Sequence, residues 1–199
     1  VITHRSIFNF DVSGTTEKTV RMSETSDSSS WLSWNFSPEP TKWEIQLSED
    51  IPSEVTLDGG SGHLDIDLSR IELTQLQADM GSGASEFVLP VTAKPYEFEL
   101  DSGSGSVRVK IPEGASLQLS LNSGSGSVNI DLPDGAGLQL EVFDEGSGSL
   151  NTPDGLERVT GAGSDDSLGV WQTKGFESAK VKIYIRILDQ GSGSINIHK

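Results

Sequence analysis

The chain has 199 residues, with 14 Lys and Arg against 30 Asp and Glu and a formal net charge of −16. Such an acid excess argues against nucleic acid or an anionic membrane surface as a direct partner. Cysteine is absent, which removes disulfides and thiol chemistry, and no apolar run approaches the ~18 residues of a membrane helix.

The 22 glycines and 7% aromatics suit many tight turns around an aliphatic core. No signal peptide opens the chain, and its abrupt start at Val1-Ile2-Thr3 reads as that of a trimmed soluble portion.

The first expected strand is Ile7 to Val12, with a weaker one around Thr19 to Met22. Ser23 to Ser30 has almost nothing to bury and reads as a loop or linker. Trp31, Trp34 and Phe36 then concentrate aromatic surface, read as core or as a cap on an open end rather than a ligand platform. Pro38 and Pro40 interrupt, and Trp43 to Leu47 alternates as a strand. These features define two parts: a flank over residues 1–42 and a repeat domain over 43–199.

The repeat is internal and regular. The first glycine of each Gly-Ser-Gly lies at positions 60, 81, 103, 124, 146 and 191, at intervals of 21, 22, 21, 22 and 45. Six residues after it come Ile66, Phe87, Val109, Ile130, Thr152 and Ile197, with polar residues such as Asp65, Glu86, Arg108 and Asn129 just before. That alternation marks a strand with one buried face. The other half of each unit does the same at Tyr96, Phe98, Leu100; Leu117, Leu119, Leu121; and Leu138, Leu140, Val142. Pro90, Pro112, Pro133 and Pro153 recur at the opposite turn, where a residue without an N–H belongs.

A unit of two strands and two turns has one apolar face and must stack to bury it. The expected architecture is therefore all-β: a β-solenoid of 21–22-residue two-strand coils, each strand pairing with its equivalent in the next unit. An antiparallel sandwich of hairpins is the alternative. After Gly155 the regularity breaks, with a diverged corner at Thr160 to Asp166 and a short strand at Leu168 to Trp171. It recovers over Val181 to Leu188 and the corner at Gly191, followed by Ile195-Asn196-Ile197.

An Asx residue stands two places before each first glycine: Asp58, Asp79, Asp101, Asn122, Asp144 and Asp189. Stacked coils would align them in one column, where neighbouring carboxylates ~5 Å apart repel by about 0.8 kcal/mol in water. Asx turns onto backbone amides, also suiting positive φ at the glycine, are one way to offset this. A Ca²⁺ column on Asp58, Asp79, Asp101, Asp144 and Asp189 is the other, although the nine-residue motif of calcium β-rolls is absent.

The Gly-Ser-Gly triplets lead into strands, so they do not read as phosphate cradles. His4, His63 and His198 lie far apart, no zinc set is apparent, and no nucleophile elbow is present. Arg108, Lys110, Asn129 and Asp131 read as a solvated face. No catalytic residue, cofactor or metal is assigned.

The unit of corner, strand, Pro-x-Gly-Ala and second strand, with the ending Gly175 to Ala179, Val181 to Leu188 and Gly191 to Ile195, resembles the toast-rack family of repeated β-strand domains. That family includes cell-wall-active-antibiotic response proteins and candidate adhesins of bacteria. The resemblance covers about residues 43–199. It implies a non-enzymatic domain of a membrane or envelope protein, anchored through a segment outside this chain. It also implies a role in adhesion or envelope stress signalling, with a protein or envelope polymer as partner. A carbohydrate-active enzyme on a β-helix and a Ca²⁺-stabilised surface module are the competing functional readings.

Overall fold

A computed structural model describes residues 6–15, 18–26, 45–160 and 168–199. They belong to two units, Val1–Gln46 and Leu47–Lys199. In the first, β1 (Ser6–Ser13) and β2 (Thr19–Ser26) form an antiparallel hairpin with Phe10 opposite Met22 and Val12 opposite Val20. Strand β2 extends into the serine tract expected as loop, because Ile7, Phe8 and Asn9 of β1 offer a ladder to Thr25, Glu24 and Ser23. The aromatic stretch Trp31 to Phe36 and Trp43 lie outside the described residues. Ile45 to Leu47 is not a strand, contrary to its alternating pattern: alternation makes a strand only where a neighbour supplies a ladder.

The second unit is all-β. In chain order its strands are β3 (Ser53–Gly59), β4 (His63–Asp67), β5 (Leu73–Met80), β6 (Ala84–Val88), β7 (Tyr96–Ser102), β8 (Ser106–Lys110) and β9 (Leu117–Ser123). There follow β10 (Ser127–Asp131), β11 (Gly137–Val142), β12 (Ser149–Asn151), β13 (Leu156–Thr160), β14 (Gly169–Thr173), β15 (Lys182–Asp189) and β16 (Ser194–His198). Among the described residues a 3-10 turn spans Phe176–Ser178.

From β3 to β10 successive strands alternate between two open sheets. Odd-numbered strands pair in parallel as β3-β5-β7-β9, and even-numbered ones as β4-β6-β8-β10. The register matches equivalent repeat positions: Ser85 lies beside Val107, Val107 beside Val128, and Phe98 beside Leu119. Alternate residues turn inward, so Phe87, Phe98, Leu119, Leu121, Val128, Ile130, Ile185 and Ile195 are all fully buried in one core. Phe87 and Phe98, one from each sheet, meet with ring centroids 5.4 Å apart. The open turns follow from Pro112-Glu113-Gly114 and Pro133-Asp134-Gly135, in which proline presets φ and the glycine adopts φ of +90° and +74°.

One expectation is overturned. The last coil does not follow the fifth in space but is inserted between the fourth and the fifth. Strand β15 pairs with both β9 and β11, and β16 with both β10 and β12. Strand β14 then adds antiparallel to β11, and β13 antiparallel to β14, so the larger sheet is mixed. The reason is burial. Ile183, Ile185 and Ile187, all fully enclosed, form the most apolar strand and take a central position, whereas the half-buried residues of β14 suit an outer one.

Candidate interaction surface

The Gly-Ser-Gly corners stack into an open groove of about 1160 Å³, lined by serine hydroxyls over a floor of glycine backbone. Consecutive corners are bonded to each other, as by Gly103 N–H to the Met80 carbonyl at 2.6 Å and Ser106 N–H to the Gly83 carbonyl at 3.0 Å. A Cβ at Gly105 would lie 1.9 Å from the Gly83 oxygen, and one at Gly126 would lie 1.9 Å from the Gly105 oxygen. The glycines are therefore required by the close approach of adjacent backbones. Positive φ, expected throughout, occurs only at Gly146 and Gly191 among the described corner glycines, at +55° and +65°.

The acidic column exists along the first coils: Asp58 lies beside Asp79, Asp79 beside Asp101, and Asp101 beside Asn122, with Asp189 next to Asn122. The expected Asx turn forms only at Asp144 and Asp189, whose Oδ1 atoms accept from Gly146 and Gly191 N–H at 2.9 and 2.8 Å. These are the two corners with positive φ. At Gly81, Gly103 and Gly124 the same N–H is already used between coils. Asn122 Nδ2 donates to Asp101 Oδ1 at 2.7 Å, so the single amide in the column relieves its carboxylate neighbour. Among the described residues no three His, Asp or Glu side chains converge as a metal site would require. His63 pairs with Asp65 at 3.0 Å on the surface, His198 is exposed near the C-terminus, and His4 lies outside the described residues.

The outer faces of both sheets are laced across strands. On the smaller sheet Arg108 pairs with Asp131 at 2.9 Å and Lys110 with Glu86 at 2.6 Å. Asn196 Nδ2 donates to Asn129 and Asn151 Nδ2 to Asn196, a three-amide ladder that only the inserted coil makes possible. On the larger sheet Gln77 donates to Glu99, Arg186 to Glu141 and Gln172 to Gln139. At the end opposite the glycine corners, a cleft of about 420 Å³ opens beside Tyr96, Gln118 and Tyr184. Burial pushes the Tyr96 hydroxyl well above its usual range, and that hydroxyl donates to the Pro90 carbonyl at 3.2 Å. The cleft was not singled out from sequence. The available signal was Lys180 and Lys182 two residues apart in an acidic chain.

The family model for the N-terminal domain of toast_rack, DUF2154, matches residues 2–110, more than half of the chain. The chain belongs to the toast-rack family. The match includes residues 2–42, which lie outside the expected span of 43–199, and stops at the end of β8. The toast-rack chain also resembles the crystal structure of a candidate cell adhesion protein from Clostridium sporogenes. They share 20% identity at a TM-score of 0.55, over 98% of this chain and 77% of that one. At that identity the likeness concerns the fold. No curated protein matches the toast-rack chain. Among its described residues, no helix is long and apolar enough to cross a membrane.

Proposed function

We propose that this toast-rack domain is a non-enzymatic module of the bacterial cell envelope, built as an open β-solenoid with one out-of-order coil. It holds an extended polar surface toward a protein or envelope polymer, for adhesion or for sensing envelope stress. The observation that carries this reading is the cross-linked polar outer face of the two sheets. Such a face is rigid, and a rigid surface loses little conformational entropy on binding. The name of the Clostridium structure supports the adhesion side of the reading.

The geometry weighs against the glycosidase alternative. Cleavage of a glycoside by the common mechanism needs two carboxyl groups flanking one bond. The glycine groove is lined by no carboxylate, and the cleft near Tyr184 by Glu97 alone. An acidic surface of this kind disfavours nucleic acid, and membrane association is assigned to a segment outside this chain.

The test is co-sedimentation of the purified chain with isolated cell-wall sacculi, together with an assay for newly released reducing ends. Binding without release is expected, and it should weaken when Arg108 and Lys110 are both changed to Glu. Release of reducing ends would replace this reading with the enzymatic one, and absence of sedimentation would remove the wall polymer as partner.

A further inference from the structure

We propose that the cleft on the outer face of the larger sheet, beside β15, is a binding site for an acidic sugar unit, one carrying a carboxylate or phosphate. This does not depend on the adhesion reading, since it concerns a small-ligand site that a non-adhesive protein could equally possess.

The argument begins with register. Glu97, Gln118 and Tyr184 are direct cross-strand neighbours on β7, β9 and β15, so they form one row across adjacent strands. The next row toward the glycine corners is internally satisfied, with Gln77 bonded to Glu99 and Arg186 to Glu141. In the Tyr184 row Gln172 is bonded to Gln139, while the side chains of Glu97, Gln118 and Tyr184 make no hydrogen bond among the described residues. Gln118 and Tyr184 are half-buried with their polar atoms open to solvent, unlike the enclosed and unpartnered Ser102 Oγ, Ser123 Oγ and Gln190 Oε1. Unpaired donors and acceptors facing a cleft of about 420 Å³, within the size range of ligand pockets, are what a polar ligand would complete.

The composition of the site selects the ligand. An aromatic ring suits the C–H face of a sugar, and an adjacent amide and carboxylate suit vicinal hydroxyls. Tyr184 is held by edge-on packing against Phe176 at 5.4 Å, so the ring is preorganised. At the mouth stand Lys180, exposed and without an ion pair among the described residues, and Lys182, half-buried, with Nζ 5.1 Å from the Phe176 ring centroid and 3.7 Å from Glu177. With Lys182 shared by Glu177, the exposed Lys180 is the ammonium left to draw an anionic group to the cleft. The net charge of −16 does not forbid this. Beyond a screening length of about 10 Å at 0.1 M salt, distant carboxylates contribute little, so a short ligand feels only the local lysines.

Calorimetry or NMR titration of the chain tests the proposal with four probes: trigalacturonate, its fully methyl-esterified neutral form, glucose 6-phosphate and glucose. At least one of the two anionic sugars should bind, at least roughly tenfold more tightly than its neutral counterpart, and more weakly as salt rises. Which anion binds identifies carboxylate or phosphate as the recognised group. Lys180→Glu, at an exposed position, and Gln118→Ala should each weaken binding by about tenfold or more, with the melting temperature nearly unchanged. Equal binding of charged and neutral sugars, no binding of either anion at millimolar concentration, or wild-type affinity in both variants would overturn the proposal.

Discussion

At the scale of single residues, the Gly-Ser-Gly triplet is two requirements in one motif. Gly105 cannot carry a Cβ, because the Gly83 oxygen occupies that place, whereas Gly62, at the outer end of the stack, has open space around it. Gly105→Ala should therefore destabilise by more than about 3 kcal/mol, while Gly62→Ala should change stability by less than about 1 kcal/mol, in denaturant melts. If the two substitutions cost the same, close coil packing is not what the triplets serve. Tyr96 offers a pH-linked test. Its buried hydroxyl keeps its proton to higher pH than in the unfolded chain, so the unfolded state loses the proton first. Its contribution is thus intact below its ordinary value of 10.0 and declines as pH rises above it. Melts of wild type and Tyr96→Phe between pH 8 and roughly 11 should show a steeper alkaline loss for wild type. Parallel slopes would place the tyrosine in water.

Among the secondary-structure elements, β15 and β16 decide whether the second unit is one structure. They supply the ladder between β9 and β11 and between β10 and β12. A chain ending at Val181 should keep slow hydrogen exchange in β5 to β8 and lose it across β11 to β14. Retained protection in β11 would mean that it can pair with β9 directly. Within β15, Ile185→Ala removes a fully buried side chain and should cost about 2–5 kcal/mol. What could be read in the sequence divides along the same line. Strand positions, inward faces and the Val107–Val128 register follow from a repeat in which local pattern and neighbour agree. The position of β15 does not, since an apolar strand reads alike whether it ends a stack or interrupts one. The Glu97–Gln118–Tyr184 row depended on that placement, because Tyr184 is distant from Gln118 in the chain and adjacent only through the insertion. The acidic column was legible as a column, but not its chemistry: whether Asp189 turns onto Gly191 or the amide bonds between coils is set by backbone geometry that residue identity leaves open.

For the whole molecule, charge is the dominant condition. With a net charge of −16, the compact state repels itself, and salt should relieve this. The melting temperature should rise between about 0.02 and 0.2 M NaCl, where the screening length shortens from roughly 20 to 7 Å. The calcium reading makes a different forecast. If the carboxylates of Asp58, Asp79 and Asp101 held Ca²⁺, EDTA at constant ionic strength would lower the melting temperature and added Ca²⁺ would restore it. An unchanged melt is expected, because Asn122 already shares its amide with Asp101 and no converging set of ligands exists among the described residues.

The out-of-order coil also bears on how such a protein is made. Synthesis delivers β11 and β12 before β15 and β16, the strands that border them on one side, so these two wait with that edge unpaired. A chain interrupted before Lys182 should leave that edge open and be cut faster by proteases than one that continues through His198. Closure of the toast-rack stack would then wait on a coil made after the strands it separates.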